Sequence, residues 1–165
     1  MLGGSPVRSS GPPTWPLPDP HVAAAIERAV ADGSWGRYHG PHVKELARLL
    51  SEYQQREFTV LTSSGTAAVE LALRGLKVGP GDEVILSAYD FGGNYQSVHI
   101  VGATPVLVDI DPASGNLDVA ELKAAVSDQT RAIIVSHLHG GMAAMPAVMK
   151  LARVREISVI EEACQ

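Results

Sequence analysis

Chemistry in this chain is best placed, by residue type and spacing, at Thr62-Ser63-Ser64-Gly65-Thr66-Ala67-Ala68. This stretch separates an apolar run, Phe58-Thr59-Val60-Leu61, which reads as a buried strand, from Val69-Glu70-Leu71-Ala72-Leu73, which reads as a helix. Ala68, Leu71, Ala72 and Gly75 fall at i, i+3, i+4 and i+7, so they are the face expected to pack inward. A small-residue turn into a helix leaves backbone N–H groups without intrahelical partners. It also aims the positive end of the helix at one point, which suits a phosphate. Gly65 lets the backbone come close, and Ser63, Ser64 and Thr66 offer hydroxyls. A capped strand-to-helix junction with no ligand uses the same residues, and the turn alone does not separate the two readings.

Further groups of this kind stand at the ends of other apolar runs. Tyr89 and Phe91 follow Glu83-Val84-Ile85-Leu86, and either aromatic could stack on a flat ring. Glu161 and Glu162 follow Ile157-Ser158-Val159-Ile160, where a carboxylate could pair with a ring nitrogen and hold its proton. A phosphate, a flat ring and a basic ring nitrogen together describe pyridoxal phosphate (PLP). Each piece has a plainer reading, Phe91 as core and the carboxylates as a helix cap or surface charge. His137 and His139 have metal-ligand spacing, but no third ligand is evident.

The elements that must position these groups alternate. A Gly-, Pro- and Ser-rich arm covers residues 1–20, with six prolines from Pro6 to Pro20 and a Trp15 that could dock on a partner subunit. Val22, Ala25, Ile26, Ala29 and Val30 mark a helix between Asp19 and Gly33, and Val43, Leu46, Ala47 and Leu50 mark a second ending near Tyr53. Strands are expected at Glu83–Leu86, Pro105–Val108, Ala132–Val135 and Ile157–Ile160. Between them come helices capped by Asp90 and Asp118, the latter with Glu121 in capping-box spacing, and one carrying Met145, Val148, Met149 and Ala152. Continuous apolar strands alternating with helices predict an α/β fold, a mostly parallel sheet with helices on both faces. The expected division is an arm, helix and loop over 1–40 and an incomplete ligand-binding domain over 41–165.

Bulk properties bound the partners. The 165 residues are 45% apolar and 19% charged, enough for one ordinary core. A net charge of −5 argues against nucleic acid or an anionic membrane as main partner. A single cysteine, Cys164, permits no internal disulfide, and no run approaches a membrane span. Met1 to Pro13 has one Arg and no apolar core, unlike a secretory signal, so a cytoplasmic location is expected. The chain stops five residues after a strand, which is expected of a fragment.

From about residue 20 onward the chain resembles the N-terminal part of the DegT/DnrJ/StrS family of PLP-dependent sugar aminotransferases. In order, the matching motifs are Gly33-Ser34-Trp35 with Gly40; Ser63 to Ala68; Gly81-Asp82-Glu83-Val84-Ile85; and Tyr89-Asp90-Phe91. Then come Gly102-Ala103-Thr104-Pro105-Val106 with Val108-Asp109; Thr130-Arg131-Ala132-Ile133; His137-Leu138-His139-Gly140; and Val159 to Gln165. The resemblance implies part of the large domain of a fold-type-I PLP-dependent transferase, in a homodimer whose active sites use both subunits. It implies transfer of an amino group, with glutamate as donor, to a keto-sugar nucleotide. Ser64, Gly65, Thr66 and Ala67 would hold the cofactor phosphate, Phe91 would stack on the ring, and Gln165 would lie beside it. Glu162 would keep the ring nitrogen protonated.

Two departures stand out. The family has Asp where this chain has Glu162, and Glu161 is no easy substitute because neighbouring strand residues face opposite ways. The family's Schiff-base lysine lies beyond the position of Gln165; Lys44, Lys77, Lys123 and Lys150 are not in its context. These 165 residues alone are therefore expected not to turn over. Alternatives are a dehydratase of the same family with His in place of the lysine, and a non-catalytic chain that binds PLP or pairs with a complete subunit. A Rossmann nucleotide module fits least, since the turn lacks G-x-G-x-x-G.

Overall fold

The computed structural model describes residues 4–5, 8–11 and 15–164. The chain divides into two compact units, Met1–Val60 and Leu61–Gln165, so the boundary expected at residue 40 lies inside the first.

In the first unit, α1 spans Pro20–Ala31 and α2 spans Pro41–Gln54. Asp19 caps α1 by accepting the His21 N–H at 2.8 Å, and a proline at the start of each helix fixes the entering backbone. Both helices form where the apolar spacing places them, yet Val22, Ile26, Val30, Leu46 and Leu49 remain exposed. The expected strand at Phe58–Leu61 does not form, and Phe58 and Val60 are 80% and 69% exposed. An apolar run becomes a strand only when a neighbour completes its ladder. Among the described residues no strand pairs with this one, and the Thr59 hydroxyl instead meets that of Ser51 on α2 at 2.7 Å.

The second unit runs α3 (Gly65–Gly75), β1 (Glu83–Ser87), α4 (Gly92–Ile100), β2 (Thr104–Val108), α5 (Val119–Ala125), β3 (Thr130–Ser136), α6 (Met145–Arg155) and β4 (Ser158–Glu162). Its sheet has the order β2-β1-β3-β4 with every neighbouring pair parallel, as the continuous apolar strands predict. Alternate residues feed two cores. Val84, Leu86, Ala132 and Ile134 pack with Val69 and Leu73 of α3 and Val98 of α4. Ile85, Ile133 and Val135 pack with Leu122 of α5 and Val148 and Ala152 of α6. Each fully buried Leu, Ile or Val contributes about 1.5–3 kcal/mol.

The inward face of α3 differs from the expected one. Val69 and Leu73 are buried, while Ala68, Leu71 and Gly75 are exposed. Two large branched side chains one turn apart fill the space over β1 and β3 better than the small residues of the other stripe. Helix α4 starts at Gly92 with Phe91 at its N-cap position, one residue after the expected cap Asp90. Asp90 accepts the Phe91 N–H at 2.7 Å and does not reach into the helix backbone. Asp118 caps α5 through the Ala120 N–H at 2.7 Å, but its own N–H donates to the Asp109 carbonyl, so the capping box stays open.

From β1 the chain winds to β2 on one side, and it later returns to place β3 on the other. The carboxyl ends of β1 and β3 therefore flank the point where winding reverses, the crevice in which open α/β sheets place ligands.

Candidate active site

At that edge a cavity of about 300 Å³ is lined by Ser64, Gly65, Thr66, Val69, Phe91, Asn94, Glu162 and Cys164. Five of the seven residues singled out from sequence stand here together: Ser64, Gly65, Thr66, Phe91 and Glu162. Ala67 lies one position further into α3, and Gln165 falls outside the described residues.

The floor is the N-terminus of α3. Ser64 is the N-cap, and its hydroxyl accepts the Ala67 N–H at 3.1 Å. The first intrahelical bond runs from the Ala68 N–H to the Ser64 carbonyl. The amides of Gly65 and Thr66 come before that bond and remain for a ligand, at the positive end of the helix. An anion that recruits the Ala67 amide has to displace the Ser64 hydroxyl.

Phe91 leaves the end of β1 and lies over Gly93. A Cβ on Gly93 would fall 2.4 Å from the Phe91 ring and 2.8 Å from the Thr66 hydroxyl, so only glycine lets the aromatic sit beside the helix start. Opposite, a Cβ on Gly65 would stand 3.0 Å from the Cys164 sulfur. The thiol thus seals the side of the cavity against α3.

Glu162 ends β4, in register with Ser136 of β3. It is 8% exposed, and its Oε1 accepts the Cys164 N–H at 2.8 Å. Burial alone would raise its pKa. The hydrogen bond from Cys164, with the polar neighbours Ser136 and His137, outweighs this and holds the carboxyl below its ordinary value. Glu161 points elsewhere, as alternation requires. It receives the proton of His137 Nε2 at 2.8 Å, while His137 Nδ1 accepts the Ala143 N–H at 3.1 Å. His139 meets the Tyr89 hydroxyl at 3.0 Å. The two histidines of the H-x-H pattern thus have separate partners, and among the described residues no group of three or more His, Cys, Asp or Glu side chains converges as a metal site.

Residues that sequence reading missed complete the site. Asn94, 2% exposed, donates to Asp90 Oδ1 at 2.9 Å and to the Ser136 hydroxyl at 3.1 Å. Ser136 in turn donates to Asp90 Oδ2 at 3.0 Å. An asparagine one turn after an aspartate, on the buried side of a helix, is the available sequence signal. Cys164 was noted as a redox marker and not as a wall of the site.

The donor set fits a phosphorylated aromatic ring: free amides at a helix start, an aromatic wall that Gly93 admits, and a buried ionised carboxylate on the far side. The fold and this edge define an α/β cofactor-binding domain. The chain belongs to the DegT/DnrJ/EryC1/StrS aminotransferase family, whose model matches residues 21–165. It is 38% identical over 168 residues to L-glutamine:2-deoxy-scyllo-inosose aminotransferase of Micromonospora echinospora, covering 99% of this chain and 40% of that one. It is 37% identical over 134 residues to GDP-perosamine synthase of Caulobacter vibrioides, covering 81% and 36%. Its structure matches that of NtdA from Bacillus subtilis with bound cofactor PMP, with a TM-score of 0.81 and 29% identity over 88% of this chain and 34% of that one. The chain thus spans about 40% of the length of the curated relatives that it matches end to end. Aminotransferases of this family use PLP.

Proposed function

We propose that this chain supplies the cofactor-binding part of a PLP-dependent aminotransferase acting on a ring ketone of a sugar-like substrate. The observation that carries the reading is the single cavity that joins the α3 N-terminus, Phe91 and Glu162. In it, the Gly65 and Thr66 amides bind the phosphate of PLP, with the Ser64 and Thr66 hydroxyls at hand. Phe91 orients the ring by stacking and shields it from water on one face. Glu162, ionised and buried, holds a proton on the ring nitrogen. With that proton in place the bound cofactor withdraws electrons from the amino-donor carbon.

The resemblance alone suggests glutamate and a keto-sugar nucleotide. The activity of the Micromonospora echinospora relative, aligned over nearly the whole chain, favours glutamine and 2-deoxy-scyllo-inosose, and we adopt those as the first substrates to test. A homodimer sharing its active sites is part of the same proposal, as is a cytoplasmic location. Among the described residues no helix is long and apolar enough to cross a membrane.

The test is a chimera in which this chain replaces the matching segment of the Micromonospora echinospora relative. Amino transfer from glutamine to 2-deoxy-scyllo-inosose is expected, and its loss on Gly93→Val, which fills the cradle, is expected with it. A folded chimera that binds no PLP would sink the reading.

A further inference from the structure

We propose that Asp90 is a second carboxylate of the cofactor site, a positioning residue that shares with Glu162, across Ser136, the negative charge facing a protonated ring nitrogen. This rests on the cofactor reading above and names a residue which that reading leaves without a task.

The geometry carries it. Asp90 stands at the winding reversal between β1 and β3, and its two oxygens receive three hydrogen bonds: Phe91 N–H at 2.7 Å and Asn94 Nδ2 at 2.9 Å on Oδ1, and Ser136 Oγ at 3.0 Å on Oδ2. Phe91 and Asn94 both line the cavity, and Asp90 stands behind them. Ser136, which donates to Asp90, is the register partner of Glu162, so it joins Asp90 to the strand position beside the other acid. One carboxylate therefore fixes the stacking aromatic, a wall residue and the bridge to the other carboxylate. Two like charges in one partly buried crevice destabilise each other until a cation arrives between them. A pyridinium is such a cation, and a neutral pyridine is not. Burial raises the Asp90 pKa against its three hydrogen-bond donors, and the field of Glu162 adds a smaller contribution in the same direction. The folding-back of Glu162 onto the Cys164 amide gives Asp90 a reason to be there, since part of the Glu162 charge is already engaged by the backbone.

Other ionisable groups around Asp90 are few. Glu162 faces it from β4, His137 follows Ser136 on the β3 side but is turned to Glu161, and Tyr95 on α4 donates its hydroxyl to the Ser87 carbonyl. From α3 the cavity receives Gly65, Thr66 and Val69, none of which titrates.

The experiment uses pyridoxine 5′-phosphate, which keeps the ring and phosphate but has no aldehyde to react with lysines. Its binding to the 165-residue chain is titrated, and the absorption of the bound ring is followed against pH to find where it loses its proton. In Asp90→Asn, which keeps the shape and removes the charge, that transition should fall by about one pH unit, with binding about tenfold weaker at neutral pH. Asp90→Glu should restore part of both. Unchanged binding and an unchanged transition overturn the proposal, and so does weaker binding with an unchanged transition, which is a structural role only. If circular dichroism shows Asp90→Asn unfolded, Ser136→Ala is the second variant. It removes one of the three donors to Asp90 and leaves it closer to neutral, so the transition should again fall, and a fixed transition overturns the proposal. Failure of the unaltered chain to bind the ligand at all would instead reject the cofactor reading, and the Asp90 proposal with it.

Discussion

Glu162 carries the heaviest demand on a single side chain. Its folded-state pKa is depressed, because the hydrogen bond from Cys164 and the polar neighbours Ser136 and His137 outweigh the burial that opposes them. A depressed carboxylate contributes stability that is present above its unfolded value of 4.5 and is lost as pH falls through the folded value. Asp90 runs the other way: its raised pKa means that ionisation costs stability above the usual aspartate range. Glu162→Gln should therefore be less stable than the unaltered chain at pH 7, with the difference in melting temperature shrinking below pH 4.5. Paired thermal melts between pH 3 and 7 measure this, and a gap that stays constant across that range would show that the Glu162 charge is not held by the fold. At this scale the sequence was partly legible. Phe91 and Glu162 were recognisable because each stands at the end of an apolar run and strand ends gather at one edge in an α/β sheet, and Gly65 and Thr66 because a small polar turn leads into a helix. Asp90 and Ser136 were not, because they are 46 residues apart and meet only through the adjacency of β1 and β3, which no local pattern encodes.

Elements explain where the reading held and where it failed. The four strands of the sheet were legible as continuous apolar runs, because both their faces are covered by helices. Phe58–Leu61 has the same composition and is no strand, since a run encodes the capacity for burial and not the partner that provides it. On α3 the spacing of Ala68, Leu71, Ala72 and Gly75 suggested one face, yet side-chain volume selected Val69 and Leu73 instead. The N-terminus of α3 permits a test at this scale. Ser64 caps the helix by accepting the Ala67 amide, and it also stands in the cavity. Ser64→Ala should cost about 1 kcal/mol of stability by urea unfolding, the ordinary worth of a cap. A phosphate-bearing ligand supplies an acceptor for the same amide. Saturating pyridoxine 5′-phosphate should therefore narrow the stability gap between Ser64→Ala and the unaltered chain. A gap that ligand leaves untouched would mean that the helix start is not where the phosphate binds.

At the scale of the whole molecule, the lysines are distributed over helices and a turn. Lys44, Lys123 and Lys150 lie on α2, α5 and α6, and Lys77 follows α3 in a left-handed turn. None of the four is among the residues lining the cavity. Covalent attachment of PLP requires a lysine amine at the aldehyde, and on the proposed reading the described residues supply phosphate and ring contacts while no lysine lines the cavity. The chain should accordingly hold PLP through the α3 start, Phe91 and Glu162 alone. Incubation with PLP followed by borohydride should then yield only sparse adducts spread over the four lysines. Pyridoxine 5′-phosphate, competing for the cavity, should leave that pattern unchanged. Peptide mapping by mass spectrometry distinguishes the outcomes. A single dominant adduct that the competitor suppresses would place one of these lysines at the cofactor aldehyde and would reverse the expectation that the chain alone does not turn over. The diffuse pattern, together with saturable binding of the competitor, would define this chain as the non-covalent portion of the cofactor site.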